Sequence, residues 1–169
     1  MIEYIKSDSS FYERNVLFCQ KVEENLLSMD FKVAGFCSSY GYDLTFLNKE
    51  KDEKVNYLKS TYKSVFRGRI YLELSYEKKL FSDYPWMIAG TSVFFSLFTF
   101  RKYKNQLPKN AYFFSRSPID YAVLNLLSDF ITKYKGTKFS LKKGKIRIII
   151  NQEIDNPKDI IDRLRKIFM

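Results

Sequence analysis

The chain has no histidine in its 169 residues, and that absence removes more chemistry than any residue present supplies. Without imidazole there is no Ser-His-Asp or Cys-His catalysis and no proton shuttle working near neutral pH. Zinc shells that use histidine are excluded too. The two cysteines, Cys19 and Cys37, form no C-x-x-C pair, so they read as buried thiols rather than a metal site or a disulfide framework. Long hydrophobic runs are also missing. The longest apolar stretch, Pro85 to Phe100, falls short of the roughly 20 residues that a spanning helix needs. A basic start followed by an apolar core is absent from the N-terminal residues, and the expectation is a soluble, cytoplasmic protein with no membrane partner.

Acidic residues are in the minority. Against 19 Asp and Glu stand 29 Lys and Arg, a formal net charge of +10. Such a field attracts polyanions, and binding that rests on it weakens as salt is added. Catalysis, if there is any, has carboxylates, lysines, tyrosines or a metal to work with.

The length fits one domain able to bury its core without disulfides or a structural metal. Ser10 and Glu13 have the spacing of a capping box, and Phe11, Phe18, Val22, Leu26 and Met29 recur at helical period, which predicts a helix to about Met29. Residues 31–37 read as a first strand, 38–41 as a turn, and 43–47 as a second strand with Asp43 at its start. The charged stretch 48–63 reads as a short exposed helix or an excursion. Residues 69–75 alternate as a strand, and 93–100 read as a buried one with a short helix or loop before it. A strand at 111–114 and a helix capped by Ser117-Pro118 follow. A hairpin turns about the basic tip Lys142-Lys-Gly144, and a last helix is capped by Asn156-Pro157. The expected architecture is α/β or α+β, with a mixed sheet of about four to six strands flanked by helices. No internal repeat or linker interrupts it, and one domain over 1–169 is expected.

One stretch carries the candidate chemistry. From Arg69 onward, Ile70, Leu72 and Leu74 alternate with Arg69, Tyr71, Glu73, Ser75 and Glu77, so acids share a strand face with side chains able to meet a phosphate. Read with Glu13-Arg-Asn-Val16 in the first helix, Gly41-Tyr-Asp43-Leu-Thr-Phe46 and Ile70-Tyr-Leu-Glu73-Leu-Ser75, the order resembles the PD-(D/E)XK nuclease superfamily. The small Holliday-junction resolvases are the members it looks most like, over about residues 10–135, with 137–169 as a C-terminal addition.

The resemblance implies hydrolysis of DNA or RNA, with Asp43 and Glu73 holding Mg²⁺ and a first-helix acid, Glu24 or Glu13, contributing. Two positions depart from the motif. Tyr42 stands where it has proline, and Ser75 where it has lysine. A literal Glu-x-Lys occurs at Glu77-Lys78-Lys79, which would make Lys78 or Lys79 the electrostatic helper, but Glu77 lies ~13 Å beyond Glu73 along the strand at ~3.3 Å per residue.

The basic and aromatic segments add an expected nucleic-acid surface, with Lys54, Lys59, Lys63, Arg67, Arg101, Lys102 and Lys104 tracking phosphates. The alternative reading is a non-catalytic interaction protein whose basic face covers an acidic partner. A phage or mobile-element factor, a toxin immunity protein or an inhibitor would fit it.

Overall fold

A computed structural model describes residues 1–60, 69–75, 86–97, 99, 105–115, 119, 121–134, 136–142 and 145–168. The chain is a mixed α and β protein, as its patterning predicts, and its contacts gather into two compact units. The first comprises residues 1–72 and 152–167, the second residues 73–151. The division falls inside a strand, and the last helix returns to the first unit.

The first unit is a four-stranded sheet with two helices. Its strands are β1 (Ile2–Tyr4), β2 (Lys32–Ser38), β3 (Gly41–Asn48) and β4 (Glu53–Ser60). β1 runs parallel to β2, while β2, β3 and β4 form an antiparallel meander. β1, too short to show a period, was not expected from the sequence. β4 replaces the helix or excursion expected over 48–63. Its alternation places Glu53, Val55, Tyr57 and Lys59 inside and leaves Leu58 and Ser60 exposed, so two buried charges disguise a period of 2. The hairpin into β4 passes through Asp52 at φ 51°, in the left-handed region. Asn48 helps by accepting the Lys51 N–H on its Oδ1. Gly41 (φ 140°) begins β3 where an added Cβ would run into the backbone carbonyl of Lys59, so the close pairing there requires glycine.

Helix α1 (Ser10–Leu27) starts one residue earlier than the predicted box. Ser9 is the N-cap, its hydroxyl accepting the Phe11 N–H at 3.2 Å, and Ser28 closes the other end. The buried stripe is Asn15, Cys19, Val22 and Leu26, whereas Phe11 is exposed. Phe18 stacks on Tyr42, with centroids 5.0 Å apart.

The last helix, α4 (Lys158–Phe168), opens as predicted, with Asn156 Oδ1 accepting the Lys158 N–H. It buries Ile160, Ile161 and Leu164. Arg165 makes a two-pronged ion pair to Glu53, whose side chain is fully buried. An alternation that sequence alone assigns to solvent is thus an internal anchor.

In the second unit four strands pair antiparallel, in the spatial order β9 (Lys145–Ile150), β8 (Lys138–Lys142), β6 (Trp86–Thr91), β7 (Ala111–Ser115). The predicted hairpin is present, with Lys142 paired to Lys145. A correction applies upstream. The strand is Trp86–Thr91, and the segment expected to be a strand begins with the short helix α2 (Val93–Ser96). Helix α3 (Tyr121–Lys133) buries Leu124, Leu126, Leu127, Phe130 and Ile131. The Thr137 hydroxyl donates to the carbonyl of Tyr134 at 2.7 Å and fastens the exit of α3 to β8. One sheet face is largely apolar and closed, with Met87, Ala89, Phe113, Phe139, Leu141, Ile146, Ile148 and Ile150 all buried. β5 (Arg69–Ser75) carries the chain from one unit to the other. Among the described residues no helix is long and apolar enough to cross a membrane.

Candidate nucleic-acid interface

The register fixes where Asp43 sits. It pairs with Phe36 of β2 and Leu58 of β4, and it is exposed on the sheet face opposite Tyr42, Leu44 and Phe46, which face the helices. Its neighbours on that face are Ala34, Phe36, Ser38, Thr45, Asn56, Leu58 and Ser60. None is acidic. Among the strands β1 to β4 the nearest acid in register on that face is Glu3, beyond Phe36, two strand spacings or about 10 Å away.

Glu24 lies exposed on α1, whose Phe18 stacks on Tyr42 on the opposite side of the sheet from Asp43. β3 has β2 on one edge and β4 on the other, so β5 with Glu73 does not pair with it. The structure therefore does not bring Asp43 and Glu24 together, and it leaves no strand position beside Asp43 for Glu73. A Mg²⁺ ion shared by two acids needs their oxygens within roughly 4–5 Å. The described residues around Asp43 do not fit one, and among the described residues no group of three acidic or thiol side chains is placed to hold a metal.

Lys59 corrects another expectation. It is only 8% exposed, and its ammonium meets Glu153 Oε1 at 2.5 Å and Asn15 Oδ1 at 3.2 Å, 5.6 Å above the Tyr42 ring. Glu153 also accepts from the Tyr42 hydroxyl at 3.3 Å and pairs with Arg14 at 3.6 Å. These groups floor a cleft of about 430 Å³ along α1, lined also by Glu13, Leu17, Lys21 and Asp155. Three acids and three bases line it, so it has no sign to offer a polyanion. Lys59 is an internal partner of Glu153 and Asn15. Burial, then Glu153, raises the Tyr42 pKa; burial, then Asp155, raises that of Tyr57, whose hydroxyl donates to the Ile154 carbonyl.

Beneath the cleft lie the two thiols, fully buried as expected and unoxidised. Asn15 donates to the Ser38 carbonyl, and Phe18 stacks on Tyr42, the cross-strand partner of Cys37. Cys19, one helical turn after Asn15, is thereby set against Cys37. The hydrogen bond between them, helped by burial, raises the Cys19 pKa; the same bond, helped by Lys59 against burial, lowers that of Cys37.

Of the remaining expected contacts, Lys54 is half-buried on the Asp43 side of β4. Lys63, Arg67, Lys78, Lys79, Arg101, Lys102 and Lys104 lie outside the described residues, as do the side chain of Glu73 and the Ser117-Pro118 cap.

The second unit's other sheet face has a different character. Reading across the strands, one row is Tyr112, Gly90, Lys138, Ile149, and the next is Phe114, Ile88, Ser140, Arg147. Lys138 and Arg147 are exposed, and Tyr112 and Phe114 half-buried. The two rings lie 5.9 Å apart, with Phe95 of α2, 49% exposed, 5.6 Å from Tyr112. Tyr112 lies across Gly90, where an added Cβ would stand 2.8 Å from its hydroxyl oxygen and 3.0 Å from Cζ. Burial raises the Tyr112 pKa.

Three aromatic rings and two cations thus share one open face. Sequence reasoning noted the basic hairpin but missed this grouping, because the rings come from 95–114 and the cations from 138–147. Their alternation with Phe113, Phe139 and Ile148 is the signal that would have found it.

No protein-family model, curated protein or solved structure matches the chain.

Proposed function

We propose that this is a nucleic-acid-binding protein acting without hydrolysis, and that the open sheet face of its second unit is the binding surface. The observation that carries the reading is the sharing of that face by Tyr112, Phe114 and Phe95 with Lys138 and Arg147. Rings offer stacking to bases and cations offer charge to phosphates. A net charge of +10 supports it by drawing polyanions in from solution. Binding without cleavage is the form the reading takes because Asp43 has no second acid among the described strand positions around it. A cytoplasmic setting suits both a nucleic-acid ligand and the free thiols.

The test is a titration of fluorescein-labelled DNA and RNA oligonucleotides with purified protein at several salt concentrations. Affinity that falls steeply with salt is expected, with the oligonucleotides left intact in Mg²⁺. Absence of binding at low salt would overturn the reading in favour of an acidic protein partner for the same face, and divalent-dependent cleavage would restore the hydrolytic one.

A further inference from the structure

We infer that the sheet face of the second unit selects single-stranded over duplex nucleic acid, with the Tyr112 ring laid over Gly90 as the seat for one unpaired base. The inference rests on the nucleic-acid reading above and makes it specific.

β7 lies beside β6, and Gly90 is the residue paired with Tyr112. Any side chain at position 90 would occupy the space that the phenol end of the ring now fills. The absent Cβ lets the ring fold down across its neighbouring strand instead of standing off the sheet. Phe95 and Phe114 flank it at 5.6 and 5.9 Å, tilted 58° and 36°, so neither lies parallel to it. The arrangement is a shallow aromatic floor with a ring supported from below.

The cations are placed beyond it on the same face. Lys138 lies in the Tyr112 row on the far side of Gly90, and Arg147 lies in the adjacent row one strand further out. At the usual strand spacing the step from the Tyr112 position to Lys138 is about 10 Å, which suits a backbone that crosses the strands with one base turned down on the ring. A duplex hides the faces of its bases in the stack and presents only phosphates and groove edges. To such a ligand the rings contribute little, and only the charges act. An unpaired base has a free face, and stacking is tolerant of its identity.

The experiment compares a 12-nucleotide labelled oligothymidylate with the duplex it forms with oligoadenylate, both measured by fluorescence anisotropy at one low salt concentration. The wild type is expected to bind the single strand at least tenfold more tightly. Tyr112→Leu is expected to lower single-strand affinity about tenfold and leave duplex affinity unchanged, while Tyr112→Phe, which keeps the ring, retains binding. Gly90→Ala, which displaces the ring without deleting it, is expected to fall between the two. Circular dichroism of each variant establishes that the fold is kept.

Equal wild-type affinity for the two ligands, or equal losses of both on Tyr112→Leu, would overturn the single-strand inference while leaving nucleic-acid binding in place. Failure of the wild type to bind either ligand would overturn the reading beneath it.

Discussion

The first and second units each present a sheet with one closed face, and they differ in where their charge goes. The first draws charge inward. Glu53 is fully buried against Arg165, and Lys59 is buried against Glu153 and Asn15, both on the helix side. Phe36, Leu47 and Leu58 are left exposed on the other side. The second keeps an apolar interior and places Lys138 and Arg147 outside, beside its aromatic rings. A count of cations therefore says little about a binding surface, since cations held by internal acids are structural parts. What matters is which are left facing water next to groups that a ligand can use.

The difference is sharpest at the buried ion pair. Arg165→Met leaves the buried Glu53 carboxylate without its ion-pair partner and is expected to lower unfolding stability by about 3–5 kcal/mol, whereas Glu53→Gln, which leaves Arg165 its contact to Asp162 at 3.7 Å, is expected to cost less, both measured by urea denaturation. Joint replacement of the two by apolar residues is expected to recover much of the loss. A loss below about 1 kcal/mol for Arg165→Met would show that the pair is not an internal anchor.

Next in size is Lys59→Met, expected to cost about 1–3 kcal/mol because Glu153 loses its shortest contact and Asn15 Oδ1 loses the ammonium donor, while oligonucleotide affinity stays as in the wild type. A drop in affinity at unchanged stability would move the binding surface to the first unit.

The buried tyrosines give the first unit a dependence on alkaline pH. Burial, with Glu153 beside Tyr42 and Asp155 facing Tyr57, raises both above the ordinary value of 10.0. Their contribution is full below the unfolded value and is lost as pH rises beyond it, because only the unfolded chain then ionises. A pH series of urea midpoints between about pH 9 and pH 11 is expected to fall, and Tyr42→Phe to flatten the fall.

The smallest effect belongs to Asp43→Asn. Exposed between Phe36 and Leu58, it is expected to change stability by less than about 0.5 kcal/mol and oligonucleotide binding not at all. Loss of function from this change alone would return the acid to the centre of the account.

How much of this the sequence disclosed depended on whether a segment's interior was apolar. The hairpin 138–150 and the stripe of α3 were legible because each hides only hydrophobic side chains on a regular period. β4 was not, because Glu53 and Lys59 occupy inward positions and were indistinguishable from solvated charge. What redirects them is the return of α4 and Glu153 from a hundred residues away, which no local pattern contains.

Asp43 was located on a strand, but its surroundings were not legible, for a related reason. Motif spacing gives a position along the chain, while the neighbour across the sheet depends on the strand that intervenes. The aromatic and basic face was hidden in turn because its members are split between β7 and the β8–β9 hairpin, and only the pairing of both with β6 joins them.

Under the proposed function, phosphate contacts come from the second unit's open sheet face. The most direct measurement is the slope of log affinity against log salt for a single-stranded oligonucleotide, comparing the wild type with the double variant Lys138→Gln, Arg147→Gln. With each lost contact to a single strand worth a slope of about 0.7, the slope is predicted to become shallower by about 1.4, with the fold unaltered by circular dichroism. An unchanged slope in the folded double variant would contradict the claim.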